Sequence, residues 1–304
     1  MTNNIINLCK MSQLQLKKHL ARKLFTTYPE VIDQDGFLYA QGTFPVLLVA
    51  HLDTVHEKLP TEILYDSENN LLTSPQGIGG DDRCGVYMVL EIIKHFNCSV
   101  LFCEDEEKLG VGADKFTEAK FTSSLDFNYI IEFDRKNSND AVFYDCDNPD
   151  FEKFITEDGF YKSAWGSFSD ISIVAPYLEC AAVNLSCGYY NPHTTAEYIN
   201  LTEMEHSIAA TLNILARTTE ADKFEYIEAP KTATSSKWWE YDWGEPETYA
   251  PEESYFSIIF TDEDGSEKIF TTPAFTETEA LGLFMMEHPT RCFNDVLDSY
   301  EEIM

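Results

Sequence analysis

The chain has 304 residues, enough for one large α/β domain with or without a small appendage, and 44% of them are hydrophobic, enough for a sizeable core. Its 21 Lys and Arg against 53 Asp and Glu give a formal charge of -32, which argues against nucleic-acid binding through phosphates because that needs a positive surface. Solubility is the plain reading of the acidity; attraction of cationic substrates and, on charge alone, mimicry of DNA are the alternatives.

The 8 cysteines are scattered without a CxxC pair, and most sit inside apolar runs, as Cys98 and Cys103 do around Val100-Leu101-Phe102. Reduced, buried thiols and a cytoplasmic location are expected. Met1 to Lys10 is polar, without the apolar core of a signal peptide, and no apolar run approaches a membrane span. No membrane partner is expected.

In chain order, an amphipathic helix is expected from Ser12 to Phe25, with Leu14, Leu20 and Leu24 near helical spacing. A short strand-like piece follows at Phe37-Leu38-Tyr39-Ala40. The continuous apolar run Val46 to Ala50 reads as a strand buried on both faces. Ile63-Leu64-Tyr65 and Leu71-Leu72 read as a hairpin turning at Asp66 to Asn70. Gly77 to Gly85 then leads into an apolar helix from Val86 to Phe96. Further buried strands are expected at Val100 to Cys103, Tyr129 to Phe133 and Ala181 to Leu185, with helices near Gly112 to Ala119 and Phe168 to Ala175 between them. Met204, Ile208, Leu212 and Leu215 mark one face of a closing amphipathic helix. This alternation argues for a three-layer α/β/α domain.

Composition changes after about Ala221. Lys231 to Pro251 is rich in Thr, Ser, Glu and Pro and carries Trp238, Trp239 and Trp243, reading as a linker or wrapping arm. Tyr255 to Phe260 and Lys268 to Thr272 form a hairpin pattern around Asp262-Glu263-Asp264-Gly265. Thr276 with Glu279 makes a capping-box pattern ahead of Ala280 to Met286. The expected organisation is therefore 1–222 as the main domain, 223–253 as the arm and 254–304 as a small ββα module.

In open α/β sheets, ligand-binding residues gather where buried strands end and loops open into a crevice. Here one strand runs into His51-Leu52-Asp53, and period-two alternation puts His51 and Asp53 on one side, so Asp53 can orient the imidazole. Another delivers Glu104-Asp105-Glu106-Glu107, and a third Glu132-Phe133-Asp134. The fourth leads to His193, and the loop before a helix supplies Asp81 and Asp82. Each feature has a bland alternative: a structural His, a solvated acidic loop, a charged first helical turn. Their order along one chain is harder to obtain by chance.

The segments AHLDTVH, GGDDRCG, DEEKLGVGA, IEFDR and NPHTTAE resemble the co-catalytic zinc exopeptidases of the M20, M28 and M42 families, over roughly Pro45 to Leu201. That resemblance implies a zinc-peptidase (phosphorylase/hydrolase-like) domain with a mostly parallel mixed sheet. It implies two divalent metal ions, zinc first and cobalt or manganese also fitting, bridged by Asp81. His51 and Asp134 would complete one metal and Glu107 and His193 the other, with Glu106 as general base and Asp53 holding His51. A register of Asp105/Glu106 in place of Glu106/Glu107 stays open, and Glu132 competes with Asp134 on the same strand face. His56 and His206 fall on no motif position and read as surface or packing residues.

Ser167-Phe168-Ser169-Asp170 resembles a Ser-Asp element beside the active site of these families, and equally a plain helix cap. The stretch from Asp134 to Ser169 is too short for the lid domain of many M20 enzymes, which points to a compact aminopeptidase acting on a short peptide. A deacylase of N-acyl amino acids is the second enzyme reading; an inactive relative serving as a binding protein is the third. The C-terminal module could cover the cleft, mediate self-association or recruit a partner.

Overall fold

The computed structural model describes residues 2–56, 58–230, 254–261, 267–274 and 296–302. They group into two compact units, Met1–Pro230 and Lys231–Met304. The first opens with helices α1 (Thr2–Cys9) and α2 (Gln13–Leu24) and strands β1 (Val31–Gln34), β2 (Phe37–Ala40), β3 (Phe44–His51), β4 (Leu64–Asp66) and β5 (Leu71–Thr73). It continues with α3 (Gly80–Ile92), β6 (Cys98–Cys103), α4 (Val111–Glu118), β7 (Tyr129–Arg135), β8 (Asp140–Val142), α5 (Pro149–Thr156) and β9 (Lys162–Ala164). It ends with α6 (Ile171–Leu178), β10 (Ala182–Ser186), β11 (Tyr189–Tyr190), β12 (Tyr198–Asn200) and α7 (Leu201–Arg217).

Eight strands form one sheet in the order β1-β2-β6-β3-β7-β10-β8-β9, and β11, β12, β5 and β4 form a smaller antiparallel one. The centre of the large sheet, β6-β3-β7-β10, is parallel throughout, while β2 joins β6 and β8 joins β10 antiparallel. Alternation along each central strand feeds two cores. Val46, Leu48 and Ala50 of β3 pack with α3 and α7 on one face; Leu47 and Val49 pack with Ala113 and Phe116 of α4 and Val174 of α6 on the other. With helices on both faces this is a three-layer α/β/α fold. The chain crosses from β3 through α3 to β6, then through α4 back past β3 to β7. The strand order reverses there, and the carboxyl ends of β3, β6, β7 and β10 face the crevice this creates.

Ser12 caps α2 with a complete capping box, its Oγ accepting the Gln15 N–H and the Gln15 side chain accepting the Ser12 N–H. The buried stripe is Leu16, Leu20 and Leu24, while Leu14 is 58% exposed. The expected Leu14 is thus displaced by Leu16, which keeps an unbroken four-residue spacing. The polar start is not a loose end: Ile5, Leu8 and Cys9 of α1 are buried in the core. Seven cysteines, all buried, carry free thiols, and burial raises the pKa of each. Cys292 lies outside the described residues.

Beyond α7 the chain stays on the first unit as far as Ala229. The Ala181 N–H donates to Phe224 O at 3.0 Å, the Phe224 N–H to Asn128 O at 2.8 Å, and the Ala229 N–H to Asp145 O at 2.9 Å. The Trp-bearing stretch lies outside the described residues. In the second unit β13 (Ser254–Thr261) pairs antiparallel with β14 (Glu267–Ala274), the expected hairpin, and also with β15 (Val296–Glu302). The third strand comes from a stretch in which sequence periodicity marks none. The helix expected from Ala280 lies outside the described residues. No helix among the described residues is long and apolar enough to cross a membrane.

Candidate metal centre

Three central strand ends, β3, β6 and β7, and two loops bring seven predicted residues together. His51 closes β3, and its Nδ1 lies 3.1 Å from Asp53 Oδ1. The same Asp53 carboxylate accepts the backbone N–H of Glu106 at 3.0 Å and of Glu107 at 3.2 Å. It therefore fixes both the imidazole and the turn that carries the two glutamates. Gly112 closes this turn against β6: a Cβ there would stand 2.4 Å from Glu104 O, which explains the second glycine of DEEKLGVGA.

Asp81 lies between the two histidines. Its Oδ1 is 2.9 Å from His51 Nε2, and its Oδ2 is 3.2 Å from His193 Nε2. His51 Nε2 is also 3.3 Å from Asp134 Oδ1, and His193 Nε2 is 3.1 Å from Glu107 Oε1. Two triads result, His51–Asp81–Asp134 and Asp81–Glu107–His193, each offering one ligand atom per residue within 4.8 Å of the others; His51, Glu106 and Glu107 make a third such group. His193 sits at φ 65 on an exposed loop, the most accessible member of the set.

Asp105 points elsewhere, pairing with Lys108 at 3.0 Å. Glu132, fully buried two residues before Asp134, accepts from Ser169 Oγ at 2.5 Å and belongs to none of the three groups. Ser169 Oγ lies 3.0 Å from Asp134 Oδ2 as well, and Asn184 Oδ1 accepts the Asp134 N–H at 2.9 Å. Asp170 starts α6 without making a side-chain cap; its buried carboxylate faces the Cys103 thiol. Of this pair, Ser169 is the one that contacts the Glu132 and Asp134 carboxylates. His206 is exposed on α7.

Sequence reasoning assigned no role to Asp82, Arg83 or Glu197 and read His56 as a surface or packing residue, although all four stand inside the quoted segments. Asp82 accepts the His51 N–H at 3.1 Å and the Gly85 N–H at 2.8 Å. Buried Arg83 donates to Leu52 O and Asp53 O at 2.8 and 3.0 Å, tying α3 to the chain just beyond β3. Glu197 accepts the N–H groups of Gly79 and Asp81 and pairs with His56 Nε2 at 2.9 Å. The Asp81–Asp82 peptide is cis.

The electrostatics describe a charge surplus. Burial alone would raise Asp81, but His193 and His51 outweigh it and hold the carboxyl well below the usual range. Burial and the Asp81 charge push Asp134 up to about 6. Burial and the Asp134 charge push Glu106 up to about 9. Contacts with Asp81 and Glu107 raise His193 to about 10. Burial would lower His51, yet Asp134, Asp53 and Asp81 carry it well above its ordinary value. More carboxylates converge than two imidazoles neutralise. Glu107 Oε1 is buried, without hydrogen-bond geometry to any group, although His193 Nε2 is 3.1 Å away. Facing acceptors, mixed imidazole and carboxylate donors and trapped negative charge fit divalent cations of the zinc, cobalt or manganese kind.

The crevice in front of these residues has a volume of about 340 Å³ and is lined by Asp81, Glu106, Glu107, Asp134 and His193 together with Arg135, Lys136, Leu109 and Phe168. A larger groove of about 1010 Å³ between α1, α2 and α3 is lined by Lys10, Lys18, His19, Arg22 and Lys23 and contains none of the clustered ligand atoms.

No family model and no curated protein matches the chain. Solved structures do. A tripeptidase from Staphylococcus aureus is similar at a TM-score of 0.59 and 14% identity, over 71% of this chain and 98% of that one. An aminopeptidase from the archaeon Desulfurococcus kamchatkensis gives 0.55 and 14%, over 74% and 99%. A Zn-dependent exopeptidase from Parabacteroides distasonis gives 0.50 and 13%, over 70% and 96%. With a parallel sheet centre, helices on both faces and a crevice at the strand ends, the chain has the fold of the co-catalytic zinc exopeptidases that its motifs resemble.

Proposed function

We propose that the chain is a metal-dependent hydrolase that removes the N-terminal residue from short peptides, using a pair of divalent cations held by His51, Asp81, Glu107, Asp134 and His193. The observation that carries this reading is Asp81, whose two carboxylate oxygens each face a different histidine, 2.9 Å to His51 and 3.2 Å to His193. One carboxylate presenting one oxygen to each of two ligand sets is the arrangement a cation pair requires. Such a pair, when bound, acidifies a shared water and polarises the scissile carbonyl.

The chain's own residues do the remainder. Asp53 accepts the Nδ1 proton of His51, which leaves the Nε2 lone pair turned toward Asp81 and Asp134. Glu106, on the turn fixed by Asp53, accepts the proton of the attacking water and passes it to the leaving amine. The acidic lining around them suits a substrate's free amino group. The alternation of buried ligands on strand ends with one exposed ligand, His193, leaves the crevice open on the substrate side.

The test is metal analysis of the purified protein coupled to a panel of aminoacyl and N-acyl substrates. About two zinc, cobalt or manganese ions per chain and cleavage of aminoacyl substrates are expected. Fewer than two ions at saturation would remove the paired site, and cleavage of N-acyl substrates alone would make the protein a deacylase.

A further inference from the structure

The crevice holds two cations that this chemistry leaves unused. Arg135 and Lys136 directly follow Asp134 at the end of β7 and line the same crevice as Asp81, Glu106 and Glu107. Cations so close to a carboxylate cluster would ordinarily pair with it. Neither does. Arg135 turns to Asp140, Nε to Oδ2 at 3.2 Å, and its terminal nitrogens make no hydrogen bond among the described residues. The exposed Lys136 ammonium has neither a hydrogen bond nor an ion pair among the described residues.

The backbone under these side chains is tightly held. The pairing of β7 with β10 shifts register between Leu185 and Ser186, where Ser186 comes to face Arg135. Such bulges re-aim side chains beside functional sites. Ser186 Oγ donates to Lys136 O at 2.7 Å and accepts the Asp140 N–H at 2.9 Å. The Cys187 N–H donates to Arg135 O at 2.8 Å, and the Asn137 N–H to Tyr189 O at 2.9 Å. A guanidinium held through Nε by Asp140 with its terminal nitrogens open, beside an ammonium unpaired among the described residues on the same fixed backbone, offers donors for an anion.

We infer that Arg135 and Lys136 hold a carboxylate of the substrate, so that the crevice selects short peptides bearing a carboxylate close to the cleaved bond. The inference rests on the exopeptidase reading above. Along a strand, Lys136 lies roughly 7 Å beyond Asp134, about two extended residues. A substrate whose carbonyl lies at the Asp81–Asp134 cluster would therefore present a carboxylate one or two residues further on. A crevice of about 340 Å³ is at the small end of ligand pockets, which suits a di- or tripeptide. A C-terminal carboxylate and an acidic side chain supply the same chemistry.

The experiment compares kcat/KM of the metal-loaded full chain on three substrates: trialanine, its C-terminal amide, and that amide with glutamate in the second position. Preference for a carboxylate-bearing peptide over the plain amide by about tenfold or more is expected, a charge-assisted hydrogen bond being of that size. Preference for trialanine identifies the terminal carboxylate, and preference for the glutamyl amide identifies the side chain. Lys136→Met should bring the ratio toward one, chiefly through KM, and Lys136→Arg should keep it. Equal rates on all three peptides with wild-type protein would overturn the inference, as would a Lys136→Met variant slowed on all three by the same factor. No cleavage of any of them, with two metals bound, would instead remove the exopeptidase reading and the inference with it.

Discussion

Glu197 Oε1 accepts the backbone N–H of Asp81 at 3.0 Å, a contact between residues 116 apart in the chain. Its other oxygen takes the Gly79 N–H at 2.8 Å and His56 Nε2 at 2.9 Å. A fully buried carboxylate thereby fixes the irregular turn that aims Asp81 between two histidines. Glu197→Ala should weaken metal binding by roughly 10–100-fold, the usual cost of losing an outer support of a ligand. Zinc titration against a competing chelator measures it, and unchanged affinity in a folded variant would refute this role.

Glu106→Gln should keep the metals and lose roughly 10²–10⁴ in kcat, because the amide cannot accept the proton of the attacking water. Metal content and steady-state kinetics on one preparation separate the two effects. Undiminished hydrolysis would rule out Glu106 as the base.

Asp53→Asn tests the other side of the same turn. Asp53 accepts from His51 Nδ1 and from two backbone N–H groups, and an amide can serve only part of that set. Metal affinity should fall roughly 10–100-fold, with a smaller loss of stability. A variant with wild-type affinity and rate would show that the imidazole needs no such partner.

Metal-free protein should lose stability as pH rises from about 5 to about 9. Asp134, raised to about 6, Asp170, raised to about 7, and Glu106, raised to about 9, keep protons that unfolded carboxyls release near pH 4. His193, raised to about 10, acts in the same direction: its contribution is complete below about 6.5 and is lost as pH passes the folded value. Asp53 and Asp81 are depressed and lose their contributions only below about pH 4. Bound zinc should invert the trend, since cations compete with protons for these ligands. Melting temperature against pH, with chelator and with zinc, is the measurement. A chelated protein that melts higher at pH 9 than at pH 5 would contradict the charge-surplus account.

Gly85→Ala should cost about 3 kcal/mol, at the upper end of ordinary overpacking. The added Cβ would stand 1.8 Å from Phe133 O and 2.4 Å from Asp82 Oδ1, both fixed within the core. Urea unfolding gives the loss, and a shift below about 1 kcal/mol would mean that α3 can slide away from β7.

Much of this was legible in the residues themselves. Continuous apolar runs mark β3, β6, β7 and β10 because a strand covered on both faces cannot alternate with polar residues. The ligand-type residues follow at the ends of those runs, so their order declares a crevice before any coordinate is known. Alternation also places Asp53 beside His51, as observed at 3.1 Å. Tertiary structure decided the rest. Glu132 and Asp134 share a strand face, so periodicity treats them alike; depth separates them, with Glu132 bonded under Ser169 and Asp134 at the opening beside His51. Asp105 and Glu107 are distinguished only by a turn of positive φ at Asp105, which has no periodic signature. His56 meets Glu197 across 141 residues, and Arg135 turns away from the cluster to Asp140. Sequence patterning fixes which face of an element a side chain leaves from. How far along the crevice it lies, and which distant group it meets there, depends on the packing of elements that are remote in the chain.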